Sequence, residues 1–215
     1  MNTRLQVEHP VTELVTGIDL VQWQIRIAAG DRLPFAQDDI VPKGWAIECR
    51  ITSEDPSNSF LPSTGTISYL HLPSGPGVRW DGGVEVGSEI GLFYDPMLAK
   101  LIVHAPTREA AVDRMHRALL EVTVDGIESS RDFHLRVMED AEFRSGAIDI
   151  QWLERRLDSL LHVKPPAETT RTAALVAALI ADRDRRAPQR TSPALATAAS
   201  TSDAWTRAGR VEGLR

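Results

Sequence analysis

Met1-Asn-Thr-Arg-Leu-Gln-Val-Glu-His-Pro10 opens the chain, with Asn2, Arg4, Gln6 and Glu8 at every second position. In an extended segment that period puts an amide, a guanidinium, a second amide and a carboxylate on one side of the backbone. The row offers hydrogen-bond donors for an oxyanion, one oxygen that can face a metal, and one base. A chain terminus usually frays, so a polar row this close to Met1 raises the expectation of missing upstream sequence.

Outward from this stretch, residues 11–29 carry Leu14, Ile18, Val21 and Ile25 at helical spacing, with Gly30 where a helix stop belongs. Pro34 and Pro42 mark a connecting passage. Between Trp45 and Ala105 the pattern turns to short β runs broken by Gly and Pro, predicted at 46–52, 65–72, 77–81 and 98–104. A helix over 107–121 follows, with Thr107 as its N-cap and Ala111, Met115, Ala118 and Leu119 on one face. A second covers 130–139 with Phe133, Val137 and Met138, and a last short one carries Trp152, Leu153, Leu157 and Leu160. Strands followed by helices indicate an α+β domain with an antiparallel, partly barrel-like sheet. Beyond Lys164 the composition shifts to Ala, Thr, Ser, Arg and Pro. Residues 173–181 can be helical, and the stretch to Ser202 reads as a linker.

The 215 residues allow one substantial domain with attachments, and 42% hydrophobic with 25% charged residues is ordinary for a globular chain. A net charge of -6 argues against general nucleic-acid binding. The single cysteine, Cys49, forms no internal disulfide, which points to a reducing compartment. No apolar run reaches membrane-spanning length and no signal peptide opens the chain, so the expectation is a soluble cytoplasmic protein. The six histidines show no ligand spacing and read as structural or surface residues. Cys49 reads as a packed thiol, and Gly82-Gly83 as a turn.

Five segments together resemble the biotin carboxylases, in particular the α-subunits of acyl-CoA carboxylases. They are residues 1–10, Glu48-Cys-Arg-Ile51, Ser53-Glu-Asp-Pro56, Phe60-Leu-Pro62 and Tyr94-Asp-Pro-Met97. The resemblance covers residues 1–158. It implies that 1–44 is the end of an ATP-grasp domain carrying the bicarbonate motif and 45–160 the biotin carboxylase C-terminal domain. Residues 161–215 would then be a linker toward a further domain. In this family the nucleotide site lies upstream of the matched residues, so the isolated chain is expected to be inactive.

The resemblance also implies roles. Arg4, Gln6 and the Val7 N–H bind bicarbonate, for which a planar guanidinium is well matched. Glu8 accepts the bicarbonate proton as it attacks the γ-phosphate of ATP. Asn2 offers an oxygen to Mg²⁺ or Mn²⁺. Arg50 stabilises the enolate of the ureido ring of biotin, with Asp95 inferred as its orienting partner, and Arg79 lies near the subunit contacts. Arg4, Glu8 and Arg50 form the catalytic set. Biotin would arrive on a separate carrier domain, a carboxyltransferase subunit would choose the acyl-CoA, and the full-length protein would be a homo-oligomer. The alternative is an inactive dimerisation module. A carbamoyl-phosphate-synthesising relative is disfavoured by the segments at 48–51 and 94–97.

Overall fold

The computed structural model describes residues 2–161 and 167–186. Its elements in chain order begin with α1 (His9–Thr16), α2 (Leu20–Ala28) and β1 (Trp45–Thr52). Short strands follow: β2 (Glu54–Asp55), β3 (Leu61–Pro62), β4 (Gly65–Thr66), β5 (Tyr69–His71), β6 (Val78–Gly82) and β7 (Glu89–Ile90). Then come β8 (Met97–Ala105), α3 (Arg108–Glu121), β9 (Thr123–Asp125), α4 (Arg131–Glu139), α5 (Ala141–Ser145), α6 (Trp152–Leu161) and α7 (Ala167–Arg186).

The frame is a three-stranded antiparallel sheet in the order β1-β8-β6. Its register sets Cys49 and Trp80 on either side of Leu101, and Arg50 and Asp81 on either side of Lys100. Directly opposed residues share a face, so the sheet has two unlike sides. Cys49, Ile51, Leu101 and Val103 form the apolar side. They join Val112, Met115 and Leu119 of α3 and Phe133, Val137 and Met138 of α4 in one core, closed by Trp152 and Leu160 of α6. The other side carries Glu48, Arg50, Lys100, Asp81 and Arg79 around the fully buried Ile102. Helix α1 packs on β1 and β8 and is tied to this charged side through Glu13 and Arg79. The remaining strands form two-stranded ladders β2-β3, β4-β7 and β5-β9. The class is α+β as expected, and no closed barrel is formed among the described residues.

Three expected elements keep their places within a residue or two: 46–52, 77–81 and 98–104 are β1, β6 and β8. The helices at 107–121 and 130–139 are α3 and α4, and Thr107 Oγ1 accepts the Ala110 N–H at 3.2 Å as the N-cap. Three expectations are corrected. Gly82 does not stand in a turn but ends β6, paired with Ala99. Residues 11–29 are two helices, because Gly17 takes a left-handed conformation (φ 73°) that ends α1, and Asp19 caps α2 through the Gln22 N–H at 2.7 Å. Residues 65–72 are not one strand. Gly65 and Thr66 pair with β7, the Ile67 N–H goes to Ser88 O, and the Ser68 N–H goes to Asp125 O before β5 pairs with β9.

The described residues fall into two units, 2–161 and 167–186. In the second, α7 extends beyond the expected 173–181; residues 162–166 and 187–215 of the predicted linker lie outside the described residues. Among the described residues no helix is long and apolar enough to cross a membrane.

Leu101 is fully buried between Cys49 and Trp80, so Leu101→Ala is expected to cost ~2–5 kcal/mol in urea unfolding. Leu120→Ala, at a position 55% exposed, serves as the control and should stay within about 0.5–1 kcal/mol.

Candidate active site

The first residues do not form a strand. Residues 2–6 are irregular, Val7 and Glu8 make a turn, and His9 begins α1 with Pro10 buried in its first turn. The first N–H groups of a helix have no partner within it, and proline suits that turn because it has no N–H to satisfy. The turn is closed by the His9 N–H on Gln6 O (3.3 Å), the His9 ring Nδ1 on the same oxygen (2.7 Å) and the Val11 N–H on Glu8 O (3.1 Å). Lys100 Nζ reaches across from β8 and donates to Val7 O at 3.1 Å.

This turn brings three of the expected residues together. Gln6 Nε2 donates to Glu8 Oε1 at 2.9 Å, and Arg50 Nη2 donates to Glu8 Oε2 at 3.0 Å. Arg4 is not part of that chain: its Nη1 donates to Leu5 O at 3.3 Å. It does line, with Gln6 and Glu8, a cleft of about 410 Å³ whose apolar wall includes Trp23, Ile27 and Phe35. Asn2 is exposed. Among the described residues no group of three or more His, Cys, Asp or Glu can hold a metal ion. One neutral oxygen does not make a Mg²⁺ site.

Arg50 is held more extensively than its motif indicates. Its Nε stands 3.8 Å from Glu48 Oε1. Its carbonyl accepts from Ser130 Oγ at 3.1 Å and His134 Nε2 at 2.9 Å, and Ser130 Oγ also accepts the Thr52 N–H at 3.0 Å. These bonds anchor the strand where its register shifts between Ile51 and Thr52. Burial pushes the His134 imidazole below its ordinary value, against the pull of its bond to the Arg50 carbonyl, so the ring is neutral at pH 7. Asp95, expected to orient Arg50, instead accepts the Met97 N–H at 2.9 Å and caps its own turn; the acidic partners of Arg50 are Glu8 and Glu48.

A second ionic cluster adjoins. Arg79 makes a two-pronged pair with Asp81, both bonds at 2.8 Å, and reaches Glu13 at 2.7 Å. Glu13 also accepts the Leu20 N–H at 2.9 Å. Lys100 lies 3.7 Å from Asp81. Burial alone would raise Asp81, but the bonds and charge of Arg79, with Lys100, hold its carboxyl below the usual range. Glu48 behaves in the opposite way. Its side chain is 5% exposed, and burial raises its carboxyl, opposed by Lys100 and Arg50. Burial also pushes the Cys49 thiol up to about 12, in keeping with a packed, inert thiol on the apolar side of the sheet.

Lys100, Glu48, Ser130 and His134 were not legible as site residues. Glu48 and Arg50 are two apart on a predicted strand, and period two alone could have placed them on one face. The others depend on strand register and helix docking.

Residues 48–155 match the family model described as the biotin carboxylase C-terminal domain. Residues 1–36 match that of the carbamoyl-phosphate synthase L chain ATP binding domain. The chain belongs to the biotin carboxylase family. It is 52% identical over 157 residues to the biotin carboxylase of Haemophilus influenzae, covering 73% of this chain and 35% of that one. It is 44% identical over 162 residues to the mouse mitochondrial methylcrotonoyl-CoA carboxylase subunit alpha, covering 75% and 23%. The biotin carboxylase domain dimer of Hydrogenobacter thermophilus 2-oxoglutarate carboxylase, in complex with MgADP, ADP and bicarbonate, superposes with a TM-score of 0.74 at 46% identity. That match covers 76% of this chain and 36% of the other. The chain thus spans about a third of the length of the biotin carboxylases it matches.

The raised Glu48 carboxyl gives a pH-dependent prediction. A group whose folded pKa lies above its unfolded value adds stability below the unfolded pKa, ordinarily 4.5, and loses it as pH rises through the folded value. Glu48→Gln should therefore gain stability relative to the native chain between pH 4 and pH 7, read from urea midpoints across that range. A constant difference would mean that Glu48 is not held above its ordinary value.

Proposed function

We propose that this chain supplies the bicarbonate- and biotin-facing side of a biotin carboxylase active site, in the ATP-dependent carboxylation of biotin within an acyl-CoA carboxylase. The observation that carries the reading is the continuous link Gln6–Glu8–Arg50, at 2.9 and 3.0 Å. It joins the residues assigned to bicarbonate with the residue assigned to biotin. The bicarbonate bound in the Hydrogenobacter thermophilus domain supports it. An inactive module is not supported, since the three expected catalytic side chains are present and two of them, Glu8 and Arg50, are bonded to each other.

In this reading Arg4 swings from the Leu5 carbonyl into the cleft and binds bicarbonate with Gln6 and the Val7 N–H. Glu8 takes the bicarbonate proton as the anion's oxygen attacks the γ-phosphate of ATP. Arg50 then faces the ureido oxygen of biotin and stabilises the charge that develops when N1 loses its proton. ATP and Mg²⁺ supply the phosphoryl chemistry, and their sites belong to an ATP-grasp region of which 1–44 is the closing part. Residues 45–160 form the biotin-facing domain, and 161–215 lead toward a further domain. Biotin arrives on a carrier domain, a carboxyltransferase subunit accepts the carboxyl group, and the assembly is a homo-oligomer in the cytoplasm.

The test is a chimera in which residues 2–161 replace the matching part of the Haemophilus influenzae biotin carboxylase. Arg4→Ala and Glu8→Ala should each lower bicarbonate-dependent ATP cleavage by ~10²-fold or more. Arg50→Ala should suppress carboxylation of free biotin far more than ATP cleavage, with Arg50→Lys only a partial rescue because a point charge lacks the planar fork. Native rates in all three variants would refute the reading.

A further inference from the structure

Glu48 is a buried acid with an unused oxygen. Its Oε2 has no hydrogen-bond partner, and its Oε1 is 3.8 Å from Arg50 Nε, just beyond hydrogen-bond range. An ionised carboxylate kept from water without full pairing is costly, so its neighbours matter. Arg50 faces it from its own strand, Lys100 from β8, and Glu8 and His9 from the N-terminal turn. Lys100 is already engaged by Val7 O and Asp81. Arg50 has donors to spare: a guanidinium carries five N–H groups, of which Nη2 serves Glu8 while Nε points toward Glu48. One guanidinium is thus bracketed by two carboxylates, one half-exposed and one sealed.

We infer that Glu48 is a positioning residue for Arg50, taking over its guanidinium when Glu8 is neutralised. The inference rests on the reading in which Glu8 accepts the bicarbonate proton and Arg50 serves biotin. While Glu8 is anionic, its charge-assisted bond keeps Arg50 on the bicarbonate side. Once Glu8 holds a proton that attraction falls away, and the remaining negative charge beside the guanidinium is Glu48. A movement of about 1 Å at Nε closes that pair. The backbone need not shift, because Ser130 and His134 hold the Arg50 carbonyl. With Nε anchored on Glu48, the Nη edge is released from Glu8 and presented to the ureido oxygen. The order of the two half-reactions is thereby built into the placement of one side chain: Arg50 becomes available to biotin after the bicarbonate proton has moved.

Two measurements test this. In the 215-residue chain, hydrogen exchange at Arg50 Nε is followed by NMR, with Glu8→Gln standing in for the neutral acid. The exchange should slow in Glu8→Gln and return to the native rate or faster in Glu8→Gln/Glu48→Gln. Faster exchange in Glu8→Gln, or no effect of adding Glu48→Gln, overturns the inference. In the chimera, Glu48→Gln should lower biotin carboxylation by up to ~10²-fold more than bicarbonate-dependent ATP cleavage, the scale of misplacing a reacting group by about 1 Å, and Glu48→Asp should recover part of the loss. An equal fall in both activities, or native carboxylation in Glu48→Gln, overturns it. Arg50→Ala separates the two levels. If that variant still carboxylates biotin, the reading of Arg50 itself fails; if it does not and Glu48→Gln does, only the role of Glu48 fails.

Discussion

Five charged side chains share one face of the β1-β8-β6 sheet, and that face is covered by α1. Charges taken from water must be paired or they destabilise the fold, and here the pairing determines what sits on top of the sheet. Arg79 and Asp81 satisfy each other and draw in Glu13 from α1. Lys100 lies between Asp81 and the Val7 carbonyl. Arg50 takes Glu8. The bonds from Arg50, Lys100 and Arg79 therefore also place residues of the N-terminal turn or of the helix that follows it.

This arrangement separates stability from chemistry on the two faces of one sheet. Leu101, Cys49 and Val103 serve the core; the residues alternating with them, Glu48, Arg50 and Lys100, face the N-terminal turn and would serve the proposed site. A site built on strands is held more precisely than one on loops alone. The half that is a loop, residues 2–8, takes its order from the strand half through Lys100 and Arg50. The start of α4 adds a further brace, since Ser130 and His134 donate to the Arg50 carbonyl.

The main strands and helices were legible because their patterns are strong: alternation over 46–52, a nearly continuous apolar run over 98–103, and helical spacing over 107–121. The break at Gly17 was not, because a glycine inside a helical pattern is tolerated as often as it terminates one. The division of 65–72 depends on which partner each half finds, β7 or β9, and no local signal carries that. Of the site, the motif residues were legible through family resemblance, but their geometry was not. Period two in an extended segment sets Asn2, Arg4, Gln6 and Glu8 in one row, whereas Val7 and Glu8 turn into the start of α1 at His9. Asp95 lies in a matched segment but caps its own turn; the carboxylates beside Arg50 are Glu48, two residues away on the same strand, and Glu8 of the N-terminal turn.

The central claim is that the charged sheet face orders the N-terminal motif, and Lys100 is the residue through which it can be tested without touching the motif itself. Amide hydrogen exchange on the 215-residue chain and its Lys100→Met variant measures this directly. Loss of the bond to Val7 O should speed exchange at His9 and Val11 by about tenfold, with the amides of β8 unchanged. Unaltered protection at His9 and Val11 in a folded Lys100→Met chain would contradict the account.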